Sequence, residues 1–242
     1  IKDKIPTGMS KNCKTDKCEW TPRDLEIDEK MVTNFVPKEG SDPAHYTCSI
    51  PWKNKVPNLR NNLRHVLARQ KATNSGTYLT KKGTSIEEID SKFHEMAAKG
   101  YIEEVTDPNE ISRPDCYYIN YFPVVDRKRD TTKVRIVFDA AAKDHEGKSL
   151  NSEIEKGPNR LQDLYSILLK FRMYEYAVTA DISEMFLRIR LTEDDKRYHR
   201  FWWNGKIWQW TRTMFGNQSS PDISQKVLEE NALACKKGNE LA

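Results

Sequence analysis

Long apolar runs are missing from this 242-residue chain. No window approaches the ~18 apolar residues that a membrane-spanning helix requires, and no charged n-region followed by an apolar h-region opens the sequence. Neither a membrane span nor a secretory leader is expected. Cysteine is scarce and odd in number, at positions 13, 18, 48, 116 and 235, which argues against a disulfide framework and for reduced thiols in an intracellular setting. Cys13 and Cys18 have no His/Cys pair at finger spacing downstream, so a zinc knuckle fits poorly. Hydrophobic residues reach only 37%, while charged residues reach 31% against ~25% in a typical domain, which implies a modest interior beneath a wet surface. Nor does one sign of charge dominate: 40 Lys+Arg face 36 Asp+Glu, which permits a polyanionic partner without requiring one. There is no internal repeat. A start at Ile1 rather than Met suggests a piece of something longer.

Residues 1 to 20 are Lys-rich and aperiodic and read as a solvated tether. Thr21 and Pro22 look like the cap and first position of a short helix, and Tyr46 to Ile50 reads as a strand. From Pro57 a helix is expected, with Leu59, Leu63, Val66 and Leu67 on its packed face. Arg60, Arg64, Arg69 and Lys71 lie on the other face, which is either simply solvated or a template contact. Ser85 and Glu88 have capping-box spacing, and Ile86, Ile89, Phe93 and Met96 form a helical stripe that stops at Gly100. Tyr117 to Val125 and Lys133 to Phe138 are rich in aromatic and β-branched residues around a polar, basic tip, as in an antiparallel hairpin. Asp163 to Phe171 reads as a helix facing a core and Tyr176 to Ile182 as a strand. A second hairpin turns at Asn204-Gly205, and Ser220 with Pro221 opens a final helix. Helices and hairpins without a strict βα alternation predict an α+β fold.

One carboxylate stands out. Asp181 closes the apolar run Val178-Thr179-Ala180-Asp181-Ile182, where an acid is costly unless solvated, paired or holding a cation. Read alone, it is as well explained by a turn or helix cap.

Three ordered stretches resemble the reverse transcriptase of long-terminal-repeat retrotransposons of the BEL/Pao type: Lys133-Val-Arg-Ile-Val-Phe-Asp-Ala-Ala-Ala-Lys143, Thr179-Ala-Asp-Ile-Ser-Glu-Met-Phe186 and Met214-Phe-Gly-Asn-Gln-Ser-Ser-Pro221. Ser49-Ile-Pro-Trp52 resembles the segment that joins protease to polymerase in those polyproteins. The resemblance implies right-hand polymerase fingers over residues 84–175 and an incomplete palm, an antiparallel sheet with packed helices, over 176–242. Residues 1–83 would be the partly irregular N-terminal linker segment.

Carried over, the pattern makes Asp181 a catalytic carboxylate which, with the backbone carbonyl of Ile182, binds divalent metal: two Mg²⁺ or Mn²⁺ ions in the full-length parent. It sets Lys128 or Arg129 with Arg135 against the triphosphate of a deoxynucleotide, a compact polyanion that suits an Arg fork and a mobile Lys charge. A charged turn that merely keeps a hairpin soluble is the alternative for the first two. Phe186 falls where an aromatic ring leaves no room for a 2′-hydroxyl, though at helical spacing from Ile182 it could simply be core. Phe215 and Gly216 fall where the family contacts the nascent base pair, the glycine allowing close backbone approach. Asp194 and Asp195 read as a solvated turn. The implied partners are an RNA or DNA template with its primer and deoxynucleoside triphosphates, with no membrane, in a cytoplasmic retrotransposon particle.

One departure limits this reading. Two ions need more than one carboxylate, and no Tyr-x-Asp-Asp sequence occurs in the chain. The thumb and ribonuclease H regions of such a parent are not represented either. The expected function is that of a polymerase fragment inactive by itself. The alternatives are a non-catalytic nucleic-acid-binding remnant or domesticated module, and a product that never folds stably.

Overall fold

Thr21 starts the first helix with a reciprocal cap. Its hydroxyl accepts from the Asp24 amide at 3.2 Å while the Asp24 carboxylate accepts from the Thr21 amide at 2.8 Å, and Pro22 presets φ at the first helical position. The computed structural model describes residues 20–40, 42–128, 134–161 and 163–239, with side chains through Cys235. In chain order these form α1 (Pro22–Lys30), β1 (Thr33–Val36), β2 (His45–Cys48), α2 (Leu63–Thr73), α3 (Gly76–Lys82), α4 (Ile86–Ala98), β3 (Ile102–Glu104) and α5 (Pro108–Ser112). Then follow β4 (Tyr121–Val125), β5 (Val134–Phe138), α6 (Leu150–Glu153), α7 (Leu164–Phe171), a 3-10 turn (Met185–Arg188), β6 (Ile189–Leu191), α8 (Glu193–Lys196), β7 (Arg200–Trp203), β8 (Lys206–Trp210) and α9 (Ser220–Asn239).

The fold is α+β. β1 pairs antiparallel with β2, which pairs parallel with β6; β3, β8 and β7 form an antiparallel sheet in that order; β4 and β5 form a hairpin. The β7–β8 turn uses Asn204 and Gly205, both at positive φ, as a two-residue hairpin turn of this hand requires.

Phe93, on the buried face of α4, sits at the centre of an aromatic cluster. Its ring centroid lies 4.8 Å from Tyr121 and from Trp203 and 5.5 Å from Phe201. One continuous core runs from Ile27 and Met31 through Phe93 to Trp210 and Ile223, so α1, the hairpin, the sheets and α9 share an interior. Arg160, whose side chain is almost fully buried, ties α1 to α9. It pairs with Asp28, with Asp222 at 2.5 Å and with Glu229 at 3.2 Å, while its guanidinium stacks 4.8 Å from the Trp20 ring. Burial pushes the Asp222 carboxyl up to about 6 despite Arg160.

Four expectations are corrected. The helix expected from Pro57 starts at Leu63, because Asn61 and Asn62 use their amides elsewhere: Asn61 donates to the Ile111 and Arg113 carbonyls, and Asn62 donates to the Tyr118 carbonyl and accepts from its amide. The β4 strand starts at Tyr121, since Tyr117 and Ile119 donate instead to the Arg197 and Arg200 carbonyls beside β7. The α7 helix forms with Asp163 as its cap, yet Leu164, Ile167, Leu168 and Phe171 are exposed rather than facing a core. Tyr176 to Ile182 is not a strand: no described strand runs alongside to pair with it, and Val178 is 88% exposed.

Candidate nucleotide and nucleic-acid site

The loop of Met214 to Ser220 is held from behind. Met214 is fully buried, and the Ser220 hydroxyl donates to its carbonyl at 2.7 Å instead of capping α9. Asn217 accepts from the Ser219 amide and hydroxyl, while its amide group lies 3.2 Å from His199 Nε2. The other ring nitrogen, Nδ1, is 2.8 Å from the Asp195 carbonyl. A carbonyl can only accept, so Nδ1 carries the proton and Nε2 accepts from Asn217. Full burial lowers the His199 pKa and keeps the ring neutral, as that pattern needs.

Asp195 is therefore no solvated turn residue. Its carboxylate accepts from the Ile50 amide at 2.9 Å, Trp52 Nε1 at 2.7 Å and the Thr192 hydroxyl at 2.7 Å, whereas Asp194 remains exposed. Trp52, singled out in the upstream Ser49-Ile-Pro-Trp52 segment, is thereby joined through Asp195 and His199 to the loop that carries Phe215 and Gly216. An acid inside a short run of charge gives no sign in sequence that it is buried, and so the role of Asp195 was missed.

Gly216 has φ +102, and a Cβ there would lie 2.4 Å from the Phe138 carbonyl oxygen. Both facts require glycine. The loop thus presses its backbone onto the end of β5, the strand that carries Arg135. Asn151, another residue not singled out from sequence, fastens the same loop: its amide donates to the Gly216 carbonyl at 2.9 Å, and it accepts from the Gln218 amide at 3.0 Å.

Phe186 rides on the 3-10 turn, and its ring centroid lies 5.1 Å from that of the exposed Phe215, tilted by 53°. The turn is entered through Glu184, whose φ of 55 is unusual for a side-chain-bearing residue. The Glu184 carboxylate holds it there, accepting from the Tyr101 hydroxyl at 2.5 Å and Lys99 Nζ at 2.9 Å. Those bonds keep its carboxyl below the ordinary glutamate range and Lys99 above the ordinary lysine range.

At the hairpin, Arg127 rather than Lys128 makes the fixed contact. Its guanidinium grips Glu88 at 2.9 Å and the Gly83 carbonyl at 2.6 Å, which lowers the Glu88 carboxyl to about 2 and pins the hairpin to the start of α4. The Ser85 hydroxyl accepts from the Glu88 amide at 3.4 Å, the expected cap, while Arg127 and the Thr84 hydroxyl are the chief partners of the Glu88 carboxylate. Lys128 and Arg135 are exposed and make no ion pair among the described residues; Arg129 lies outside them.

Asp181 is exposed and makes no hydrogen bond or ion pair among the described residues, and no group of three His, Cys, Asp or Glu there could hold a metal. The described side chains around Asp181 do not fit a two-ion centre. Ile182 lines a cavity of about 300 Å³ with Phe35, Tyr46, Met185 and Val227. The described cysteines, Cys48, Cys116 and Cys235, are free. No helix among the described residues is long and apolar enough to cross a membrane.

No protein-family model matches the sequence, and no curated protein does. Among solved structures, the chain is similar to the foamy viral protease-reverse transcriptase in complex with an RNA/DNA hybrid, at 19% identity and a TM-score of 0.43 over 60% of this chain and 17% of that one. It is likewise similar to the native Prototype Foamy Virus protease-reverse transcriptase, at 19% identity and a TM-score of 0.43 over 57% of this chain and 16% of that one. A complex of the foamy viral protease-reverse transcriptase dRH with double-stranded DNA gives 19% identity and a TM-score of 0.40 over 59% of this chain. The matched region covers only 22% of that protein.

Proposed function

We propose that this chain is the fingers and first part of the palm of an RNA-directed DNA polymerase of the BEL/Pao retrotransposon type, working at the meeting point of an incoming deoxynucleotide and a primer-template. Residues 84–175 are the fingers, 176–242 the early palm, and 1–83 the segment that leads in from upstream. Lys128, Arg129 and Arg135 meet the triphosphate, Phe186 lies under the sugar, and Phe215 with Gly216 faces the nascent base pair. The observation that carries the reading is the contact of Phe186 with Phe215, since two separate motifs of the resemblance meet ring to ring at 5.1 Å. Because a lone exposed Asp181 does not make a two-ion centre, the proposal for these residues is binding, not turnover; the Mg²⁺ or Mn²⁺ chemistry belongs to the longer parent.

Anisotropy of a labelled primer-template, with RNA or DNA as template, tests this across a salt series with Mg²⁺ present. The expected result is salt-sensitive binding, weaker deoxynucleotide binding in Lys128→Gln and Arg135→Gln, and a narrowed preference for deoxyribonucleotide over ribonucleotide in Phe186→Ala. Failure to bind either ligand at low salt overturns the reading. The solitary state of Asp181 favours a second reading, a nucleic-acid-binding module without chemistry. Mn²⁺ retained by the primer-template complex of the wild type but not of Asp181→Asn supports the polymerase reading; absence of retained Mn²⁺ supports the module.

A further inference from the structure

On another part of the surface, an open cleft of about 710 Å³ lies between the start of α2 and the 139–148 loop, within the ~300–1,000 Å³ span of ligand clefts. Its walls include Leu63, Ile111, His65 and His145. The polar groups beside them are spent internally: Asn61 donates to the Ile111 and Arg113 carbonyls, and the Ser112 hydroxyl donates to the Pro108 carbonyl. The two imidazoles, in contrast, make no hydrogen bond among the described residues. Their centroids stand 6.5 Å apart with planes tilted by 40°. Because the planes are inclined, a flat aromatic group fits between the rings only when the exposed His145 turns toward parallel with His65.

Both rings have firm footings. His65 lies on the first turn of α2. His145 sits in a turn fixed by Asp144, whose carboxylate accepts from the Glu146 and Lys148 amides at 2.8 and 3.0 Å. The His145 side chain itself is exposed. The rim is cationic: Arg64 is exposed with no ion pair among the described residues, and Arg60 is engaged only by Glu146, at 3.9 Å on the surface. A largely apolar cleft flanked by two aromatic rings, with Arg64 unpaired among the described residues and Arg60 only weakly paired at its rim, suits an unpaired nucleobase flanked by phosphates.

We propose that the His65–His145 cleft is a single-strand subsite, holding one unpaired base of an RNA or DNA strand between the imidazoles, with Arg60 and Arg64 on the neighbouring phosphates. The residues that line it include neither Asp181 nor the Phe186–Phe215 pair, so it holds or fails independently of the polymerase reading.

A ten-nucleotide single strand with a central 2-aminopurine, as DNA and as RNA, tests it on the full chain. Binding to the wild type should quench 2-aminopurine emission in either strand. His65→Ala and His145→Ala should each relieve the quench and weaken binding about fivefold or more, while His65→Phe and His145→Phe restore both. Arg64→Gln should lower the slope of log affinity against log salt by about 0.7, which a merely structural role would not do. Wild-type affinity and quenching in both alanine variants overturn the proposal. So does equal competition by a blunt duplex of the same sequence or by free AMP. Loss of single-strand binding with primer-template affinity intact supports the subsite and leaves the polymerase reading untouched.

Discussion

His199 and Asn217 meet at 3.2 Å, joining the residue that precedes β7 to the loop of Phe215 and Gly216. Replacing either with alanine strands a buried polar partner, at about 1–3 kcal/mol. His199→Ala and Asn217→Ala should each lower the thermal midpoint, and hydrogen exchange should show the 214–220 backbone opening ahead of the β4–β5 hairpin.

The buried ring also sets a pH response. Burial lowers its folded-state pKa beneath the unfolded value of about 6.5, so the unfolded chain takes up the proton first. The contribution of His199 to stability is complete above about 6.5 and is lost as pH falls below that value. Asp222 works in the opposite sense. Its folded-state pKa of about 6 lies above the ordinary 3.8, so protonation there favours the folded state between those values. Denaturant unfolding of the wild type and His199→Gln from pH 8 to 5 separates the two: the wild type should lose stability relative to the variant as the solution is acidified.

Gly216→Ala puts a methyl group 2.4 Å from the Phe138 carbonyl oxygen at a φ of +102. The backbone strain alone is worth about 1–3 kcal/mol. The expected result is a lower midpoint of thermal unfolding together with loss of the Phe186–Phe215 contact, seen as altered chemical shifts of both rings.

Glu184 should reverse the usual order of substitution. In a helix interior alanine is more favourable than glycine, but at the left-handed φ of Glu184 the Cβ costs about 1–2 kcal/mol. Both variants forfeit the bonds to Lys99 and Tyr101, so Glu184→Gly should unfold at a higher temperature than Glu184→Ala. The same ordering should appear in hydrogen exchange of the 3-10 turn.

Phe93→Ala removes the ring at the centre of the aromatic cluster, and large losses of about 3–5 kcal/mol accompany such truncations. Chemical denaturation should show that loss as a shifted midpoint with an unchanged slope, because α1, the β4–β5 hairpin, the sheets and α9 share the interior around Phe93.

Local signals were legible where one stretch of chain decides the outcome. The Thr21 cap, the left-handed Gly100, the Asn204-Gly205 turn and the stripe of Ile89 and Phe93 all follow from spacing and from residues with special backbone freedom. Tyr176 to Ile182 failed because strand propensity describes a residue's fit to a neighbour, and no described strand is beside it. Exposure of the α7 stripe failed for a related reason: periodicity says that a helix has an apolar face, not that something covers it. At the candidate site, motif wording singled out Phe186, Phe215 and Gly216, but neither the contact of the two rings nor the approach of Gly216 to the Phe138 carbonyl. The posts behind them, Asp195, His199 and Asn151, were not singled out, because a polar side chain that ends up inside looks in sequence like any surface residue.

Arg160 and its three carboxylates bear on how the chain can be shortened. Two of those acids come from α9, and the third, Asp28, from α1. Trimming the chain to begin after residue 40 would remove Asp28 and the Trp20 face and leave a guanidinium inside with less counter-charge. The end of the stretch that reads as a linker is instead a clamp on the last helix, and excising it should yield insoluble material, not a smaller folded unit.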